Sequence, residues 1–388
     1  MKKILVLILL AYFLVHVAQL FTGFIKVKPL GGVIHTTEVP NLSMASWFSG
    51  AFQDSLTNRL DEAFGFRPLY IRLFNQIDFS LYRKIHGYGV VLGKNNYLYE
   101  NWYVLEYGGY GLVGIEKITE TLNKLKVIND YLQKNQTKLL VVLAPGKPYY
   151  YPEYLPDESI STGQSTNYYD YMNVLSNSGL PWIDINNWFI KAKDTTTYPL
   201  FSKTGTHWSD YGAALVADSI LKYTQWQLDR PMNSIRIKEL KSKPITKTAD
   251  TDLNNVANLI FPIKDLNLMY PILEIDSVIS PDESPERIVI GDSFFWNLFG
   301  LKSNNCYKIT NFWYYYSSIF PQWENYQPTI NEVDVLQKIR ETDQVVIMVT
   351  TAGLYKFGYG FIEDVYKKII KENESSLSVK IESSMSGN

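Results

Sequence analysis

From residue 114 onward, short apolar runs alternate with longer amphipathic segments. An uninterrupted short apolar run is typical of a strand buried on both faces, and a longer amphipathic segment is typical of a helix that covers it. The predicted strands are Leu139–Leu143, Trp182–Ile185, Arg287–Ile290, Tyr307–Thr310 and Gln344–Val349. The predicted helices are Gly114–Lys134, Tyr168–Ser176, Ser209–Leu228, Ile330–Arg340 and Phe361–Lys371. This order predicts an α/β fold, a parallel sheet flanked by helices whose reactive crevice lies at the carboxyl ends of the strands.

The chain outside this alternation predicts several further segments. Two amphipathic helices, Met44–Phe64 and Arg67–Ile85, are separated at Gly65, and a hairpin over Val90–Tyr99 follows them. These elements form a helical and hairpin extension ahead of the α/β body. The predicted divisions are an anchor or signal at 1–25, a linker at 26–42, the α/β domain at 43–373 with an insertion at 231–285, and a flexible tail at 374–388.

The amino terminus predicts export. Lys2 and Lys3 precede the apolar run Ile4–Phe24, whose 21 residues match the length of a membrane-spanning helix. A cleaved signal has a shorter apolar core and a small-residue cleavage site, so we favour an uncleaved anchor with the two lysines inside and the bulk of the chain exported. Lys26 and Lys28 follow the run and weaken this charge asymmetry, and a cleaved signal is the alternative.

Composition excludes several classes of function. Lysine and arginine total 37 against 39 aspartates and glutamates, so no basic face for nucleic acid is expected. The single cysteine, Cys306, excludes intramolecular disulfides and cysteine-based metal sites, and no glycine-rich phosphate loop occurs. We therefore expect no nucleotide cofactor and no metal. The 29 tyrosines fit either a surface that stacks on sugars or an ordinary aromatic core.

The histidines leave one candidate base for the α/β body. His16 lies in the apolar run, His35 in the linker and His86 after a predicted helix, so only His207 falls in the body. It lies two residues before Ser209, a plausible helix N-cap. The alternative is a loop histidine packed beside Trp208.

A serine follows the strand Arg287–Ile290 in the sequence Gly291-Asp292-Ser293. This geometry places Ser293 at the carboxyl end of a strand and at a helix start, where free backbone N–H groups can hold an oxyanion. Imidazole is the usual base for a serine nucleophile. The alternative is that Asp292 or Ser293 only caps the helix, but the one well-placed histidine favours a nucleophile.

These motifs carry a family resemblance. Gly291–Phe294 resembles the nucleophile block of the SGNH hydrolase-like superfamily. Thr206–Ser209, followed by Tyr211-Gly212, resembles the histidine block of the branch that contains the alginate O-acetylation proteins, in which histidine also precedes serine. The early hairpin and the loop after the first strand are also similar to this branch, at Val91–Lys94, Tyr97–Tyr99, Leu143–Lys147, Tyr151–Glu153 and Leu155–Pro156. The resemblance covers roughly Asp61 to Phe361.

The sequence departs from the family pattern at one position. The family commonly has Asp-x-His, in which the aspartate orients the imidazole, but Gly205 stands there in this chain. Three explanations stay open. Another carboxylate substitutes, with Asp184 the first candidate and Asp210 the second; a backbone carbonyl orients His207 and leaves a dyad; or the protein is impaired or inactive.

The resemblance implies O-acyl transfer, chiefly O-acetyl transfer, to a polysaccharide in the periplasm or at the cell surface. Ser293 would form an acyl-enzyme, with His207 as general base. The alternatives are a glycan O-acetyl esterase, and a catalytically impaired glycan-binding or assembly protein. The family also implies a membrane-bound acyltransferase partner that supplies the acyl group.

Four further residues are candidate substrate contacts. Lys147 follows a predicted strand and could contact a sugar, or be an ordinary solvated lysine. Trp208 neighbours the histidine. Tyr315 belongs to an aromatic run that could stack on a glycan, supply a phenol to the oxyanion or simply pack, and Tyr355 follows the last strand.

Overall fold

The computed structural model describes residues 2–32, 36–159, 165–243, 249–265, 267–322 and 326–385, so His35 lies outside the described residues. Contacts divide the chain into two units. The first comprises Met1–Leu92 and Thr251–Lys264, and the second comprises Gly93–Asp250 and Asp265–Asn388. The domain boundaries predicted from the sequence stay a prediction.

The elements are numbered in chain order. The helices are α1 (Lys2–Thr22), α2 (Met44–Phe48), α3 (Ala51–Ala63), α4 (Arg67–Tyr82), α5 (Asn101–Tyr107), α6 (Ile115–Lys134), α7 (Lys147–Tyr150), α8 (Asn167–Ser176), α9 (Ile185–Ala192), α10 (Asp210–Leu228), α11 (Asp252–Ala257), α12 (Phe294–Phe299), α13 (Val335–Arg340) and α14 (Phe361–Met385). The strands are β1 (Val90–Leu92), β2 (Leu98–Glu100), β3 (Lys138–Ala144), β4 (Trp182–Asp184), β5 (Ser234–Lys241), β6 (Tyr270–Asp276), β7 (Glu286–Gly291), β8 (Ile309–Tyr314), β9 (Ser318–Phe320) and β10 (Gln344–Thr350).

In the first unit, α1 is long and apolar enough to cross a membrane, as the sequence predicts. Its buried His16 bonds through Nε2 to the hydroxyl of Tyr70 in α4, at 2.7 Å. The helix predicted over Met44–Phe64 is divided into α2 and α3 because Gly50 adopts a left-handed φ of 82°. The break predicted at Gly65 is confirmed, since α3 ends at Ala63 and α4 begins at Arg67.

The second unit is built on a six-stranded sheet with the order β4-β3-β10-β7-β8-β9. The first five strands are parallel, and β9 runs antiparallel to β8. The predicted α/β fold with a parallel sheet is therefore confirmed. β7 lies between β10 and β8, so it is an interior strand of the sheet. The loop that follows it therefore lies at the carboxyl ends of the strands, away from the two outer strands.

Helices cover both faces of this sheet. Alternate strand residues, among them Val141 and Ile347, share one hydrophobic core with residues of α6, α8 and α14. On the opposite face, Thr224 of α10 donates to the side chain of Gln344 in β10. Strand residues are buried on both faces, which explains the uninterrupted apolar runs in the sequence.

Two predicted elements differ in position. The strand expected at Tyr307–Thr310 begins at Ile309 and ends at Tyr314, as β8. It extends farther toward the carboxyl side because the side chains of Phe312 and Trp313 are buried in the sheet. The helix expected at Ile330–Arg340 is a 3-10 turn over Ile330–Glu332 followed by α13.

Two segments are more regular than the sequence predicts. The interval 231–285 contains the antiparallel pair β5 and β6, and isoleucine alternates with charged residues over Ile235–Lys238 of β5. The tail expected to be flexible from 374 is helical to Met385, because no glycine or proline interrupts the chain between Gly360 and Gly387.

Candidate active site

Ser293 lies directly after β7, between Asp292 and the first residue of α12. The strand ends at Gly291, where a Cβ would lie 3.3 Å from the backbone oxygen of Met348 on the neighbouring strand β10. Any larger residue would therefore press on β10. The sharp turn from strand to helix places the serine hydroxyl at the carboxyl end of the sheet, where the sequence predicts it.

The imidazole of His207 lies beside this serine. His207 Nε2 is 2.9 Å from Ser293 Oγ, within the range that a general base requires. The ring of Phe294 lies 4.7 Å from the imidazole and 5.2 Å from the ring of Trp208, so the residue after the serine packs against the histidine loop. The fold thus brings together two residues that are separated by 86 positions.

The loop that carries His207 is held at both ends. Phe201 and Trp208 form an antiparallel bridge. Ser209 caps α10 by accepting from the N–H of Gly212 at 3.0 Å, and its hydroxyl donates to the carbonyl of Pro199 at 2.7 Å. The predicted N-cap is therefore present, and it fixes the histidine loop relative to α10.

The carboxylate of Asp292, the residue before the serine, accepts four hydrogen bonds. One carboxylate oxygen accepts from the backbone N–H of Phe294 at 3.0 Å. The other accepts from the N–H and the hydroxyl of Thr350, at 3.0 and 2.8 Å, and from the hydroxyl of Tyr359 at 2.9 Å. The aspartate is buried and its bonds link the ends of β7 and β10, so it fixes the backbone that carries Ser293.

The oxyanion donors expected from the first turn of α12 are occupied. The N–H of Phe294 bonds the Asp292 carboxylate, and the N–H groups of Phe295 and Trp296 bond the carbonyls of Asp292 and Ser293. The expectation of a free helix start is wrong, because the short turn satisfies its own amides. In this part of the described chain, the N–H of Ser293 is the backbone donor that can still bind a ligand.

A phenol stands close by. The hydroxyl of Tyr315 interacts with the Ser293 side chain. Burial, reinforced by the negative charge of Asp292, raises the pKa of Tyr315 above its ordinary value, so the phenol keeps its proton and can donate it in a hydrogen bond. Tyr315 adopts a left-handed φ of 49°, a strained conformation for a bulky residue. The backbone therefore directs this side chain at some cost in conformational energy.

Asp292, Ser293 and Tyr315 border a pocket of about 120 Å³, and His207 is not among its lining residues. Its lining includes both the serine and two of the predicted contacts, Tyr315 and Tyr355, which are each 43% exposed. The lining residues are Glu100, Trp102, Tyr103, Asp292, Ser293, Tyr315, Thr350, Ala352, Gly353, Tyr355 and Tyr359. Sequence reasoning missed the contributions of Trp102, Tyr103 and Tyr359. A cluster of aromatics directly after the hairpin was the available signal for the first two.

The first candidate for the missing aspartate lies on a strand distant from the one that carries Ser293. Asp184 ends β4, three strands from β7, which at about 4.8 Å per strand is roughly 14 Å away. Its carboxylate accepts from the N–H of Asn187 and from the hydroxyl of Tyr168, both at 2.9 Å, and so caps α9. Burial raises its pKa. Asp210, the second candidate, is the first residue of α10 and follows His207 by three positions.

Two predicted substrate contacts are inside the protein. Lys147 is buried, and its ammonium donates to the carbonyls of Leu98, Lys203 and Gly205 at 2.6, 2.9 and 2.9 Å. It therefore ties the histidine loop to β2 rather than facing a sugar. Trp208 is fully buried against Phe294, so the structure places it in the core.

Comparison with known proteins supports the family resemblance. Residues 90–268 match the family described as SGNH hydrolase-like domain, acetyltransferase AlgX. The match covers just under half of the chain, includes His207 and ends before Ser293. Two curated relatives are named probable alginate O-acetylase AlgJ. That of Azotobacter vinelandii is 23% identical over 208 residues, 51% of this chain and 52% of the relative.

The second relative, from Pseudomonas syringae pv. tomato, is 25% identical over 172 residues, 44% of this chain and 42% of the relative. The chain thus spans about half the length of the curated relatives it matches. Among solved structures, the O-acetyltransferase domain of Pseudomonas putida AlgJ matches 72% of this chain and 99% of its own, at 18% identity and a TM-score of 0.49. The family match and the curated relatives confirm the resemblance to the SGNH hydrolase-like superfamily and its alginate O-acetylation branch.

Proposed function

We propose that this protein transfers an O-acyl group, in the first place acetyl, to a polysaccharide through an acyl-enzyme on Ser293. The observation that carries the proposal is the 2.9 Å approach of His207 Nε2 to Ser293 Oγ beside a small pocket at the carboxyl end of the sheet. A serine hydroxyl is a weak nucleophile until a neighbouring base accepts its proton, and this arrangement supplies the base.

The reaction proceeds in two halves. His207 accepts the proton of Ser293 as Oγ attacks the donor's carbonyl carbon, and the resulting oxyanion is stabilised by the phenol of Tyr315 and the N–H of Ser293. Collapse of this intermediate expels the donor's leaving group, which takes the proton from His207. In the second half, His207 removes the proton of a sugar hydroxyl, whose oxygen attacks the carbonyl carbon of the acyl-serine. The bond between that carbon and Ser293 Oγ then breaks, Oγ takes the proton back from His207, and the acylated sugar leaves.

The volume of the pocket favours a short acyl group. A dry cavity of about 150 Å³ holds one benzene molecule, so the 120 Å³ beside Ser293 admits fewer than about six heavy atoms. An acetyl group has three. The rings of Trp102 and Tyr103 line the pocket.

Asp210 is the residue that we assign to orienting His207. Three residues span at most about 11 Å of chain, so its backbone lies within that distance of His207. The carboxylate of Asp184, by contrast, is engaged in capping α9 and in a bond with Tyr168. A carboxylate at this place would hold the imidazole in the tautomer that leaves Nε2 free to accept the serine proton.

Location and partner follow the same proposal. The α1 helix would anchor the protein in the inner membrane, with the second unit on the periplasmic side. A membrane-bound acyltransferase would deliver the acyl group there. These assignments rest on the length and composition of α1 and on the family resemblance.

The test is fluorophosphonate labelling of the full chain in detergent, with the adduct located by peptide mass spectrometry. We expect an adduct on Ser293, none in Ser293→Ala, and a labelling rate at least about 100-fold lower in His207→Ala. His86→Ala is the matched control. His86 also bonds an oxygen atom through Nε2, that of the Asp78 carboxylate at 2.6 Å, but it lies in the first unit. Absence of an adduct in folded protein would refute an activated serine.

Product analysis then separates transfer from hydrolysis. A chromogenic acetyl ester is supplied with and without an oligosaccharide acceptor. Acetylated sugar indicates a transferase, whereas acetate released at the same rate in both cases indicates an esterase. Asp210→Asn and Asp184→Asn are compared in the same assay. Loss of rate in the first alone supports the orienting role of Asp210, and loss in the second alone contradicts it.

A further inference from the structure

A second, larger cleft lies in the unit that carries the candidate active site. It is open to solvent, has a volume of about 670 Å³ and shares no lining residue with the pocket at Ser293. Sites for small organic ligands measure about 300–1,000 Å³. The lining residues are Tyr97, Tyr150, Tyr151, Glu153, Tyr154, Lys193, Asp194, Thr196, Thr197, Tyr198, Pro199, Asn267 and Met269.

Tyrosine rings form one wall of this cleft. Tyr97 and Tyr154 are stacked, with ring centroids 3.9 Å apart and an interplanar angle of 8°. Tyr151 meets Tyr97 edge-on at 5.0 Å. Tyr97 and Tyr154 are only partly buried, so the stacked pair offers aromatic surface to a ligand. A ring with an apolar face and a polar tip suits a sugar, which has apolar C–H faces and hydroxyls at its edge.

Charges in the cleft are compensated. Lys193 forms an ion pair with Glu153 at 2.6 Å, and its ammonium lies 5.0 Å from the centre of the Tyr151 ring. Asp194 adds a negative charge. Among the described lining residues, no cation other than Lys193 is available to a sugar carboxylate. Hydroxyl and amide groups of Thr196, Thr197 and Asn267 can instead bond neutral hydroxyls.

The cleft is continuous with the loop of the catalytic histidine. The carbonyl of Pro199, a lining residue, accepts from the hydroxyl of Ser209 at 2.7 Å. The ring of Tyr198, another lining residue, meets that of Tyr211 edge-on at 5.4 Å. Pro199 and His207 are therefore two ends of one short, internally bonded segment. A chain bound in the cleft would lie next to the segment that carries the general base.

We propose that this cleft is a subsite for the acceptor, and that the acceptor is a neutral polysaccharide rather than a polyuronate. The inference rests on the proposed function, because it names the chain whose hydroxyl receives the acyl group. The stacked tyrosines hold one sugar ring by its face, and the one cation among the described lining residues, Lys193, is already paired with Glu153. The ammonium of Lys203 lies 5.3 Å from the centre of the Tyr97 ring but outside that lining.

The experiment measures binding, which does not require turnover. Isothermal titration of the full chain in detergent uses neutral hexasaccharides of β-linked glucose, mannose, galactose and N-acetylglucosamine, and hexamannuronate as the acidic probe. We expect saturable binding of at least one neutral probe, and at least fivefold weaker binding of hexamannuronate. Tyr154→Ala should weaken neutral binding at least about fivefold. Tyr154→Phe keeps the ring and should stay within about twofold.

Tyr88→Ala is the matched control, because Tyr88 is 99% exposed and lies outside the cleft. Labelling of Ser293 should proceed at the wild-type rate in Tyr88→Ala. The inference is overturned if no neutral probe binds saturably, if hexamannuronate binds as tightly, or if Tyr154→Ala binds like the control. Labelling without saccharide binding refutes this inference alone, and saccharide binding without labelling refutes the proposed chemistry alone.

Discussion

Restoring the family's aspartate at Gly205 should damage the protein rather than improve it. A Cβ at this position would lie 2.6 Å from the backbone oxygen of Ala249, 2.7 Å from Ser202 Oγ and 2.9 Å from the backbone carbon of Asp250. The N–H of Gly205 donates to Ser202 Oγ at 2.7 Å, and that hydroxyl donates to the carbonyl of Asp250 at 2.8 Å. The space that a side chain needs is therefore filled by backbone and by a bonded hydroxyl.

The cost can be worked from these contacts. Overpacking by one methyl group costs about 1–3 kcal/mol, and moving Ser202 sacrifices a hydrogen bond worth about 1 kcal/mol. Gly205→Ala should thus lose about 2–4 kcal/mol of folding free energy. At about 2–3 °C per kcal/mol the apparent Tm should fall by roughly 5–10 °C. Gly205→Asp should fall further, because its carboxylate would also enter this space.

The assay is thermal unfolding of the full chain in detergent, followed by tryptophan fluorescence. Gly300→Ala is the matched control, since its Cβ would lie 3.4 Å from the nearest atom and its φ of −77° suits any residue. We expect its Tm to stay within about 2 °C of wild type. An unchanged Tm in Gly205→Ala, or faster Ser293 labelling in Gly205→Asp, would refute the claim that packing enforces this glycine.

Two further predictions concern protonation. Burial raises the pKa of Glu106 to about 8 from an ordinary value of 4.5. The free energy of unfolding of the wild type should therefore decline by up to ~5 kcal/mol as the pH rises from about 4.5 to 8. Glu106→Gln should flatten that decline in denaturant titrations across this range, and an unaltered pH profile would contradict the prediction. Tyr315→Phe should slow acetyl transfer about 100-fold by removing an oxyanion donor, whereas Tyr355→Phe, from the same pocket, should change the rate less than about threefold; equal rates in the two variants would exclude the phenol.

The sequence predicted the sheet well because burial on both faces leaves a direct mark on composition. Runs such as Leu139–Leu143 become strands within one residue at each end. It did not predict β9, a three-residue strand at the edge of the sheet. The ribbon of β5 and β6 was missed because the alternation over Ile235–Lys238 is short and β6 has no strict alternation.

The catalytic pair could be predicted because histidine is scarce in this chain. A single histidine in the α/β body had to be the base if there was one, and the structure places it 2.9 Å from Ser293. Tyr359, contributed to the pocket by a distant segment, could not be found, because tyrosines are abundant in this chain. Roles decided by burial were equally inaccessible, as with Trp208.

Lys147 explains how the histidine loop can stay in place without an aspartate at position 205. An ammonium ion removed from water costs several kcal/mol unless its donors are satisfied. Lys147 binds three carbonyls, and two of them, those of Lys203 and Gly205, belong to the histidine loop. The segment before His207 is therefore fixed by its backbone, independently of the side chain at 205. Because the loop is held in this way, an orienting group for His207 only needs to select the tautomer of the imidazole. Such a group can come from the chain that follows His207, where Asp210 lies.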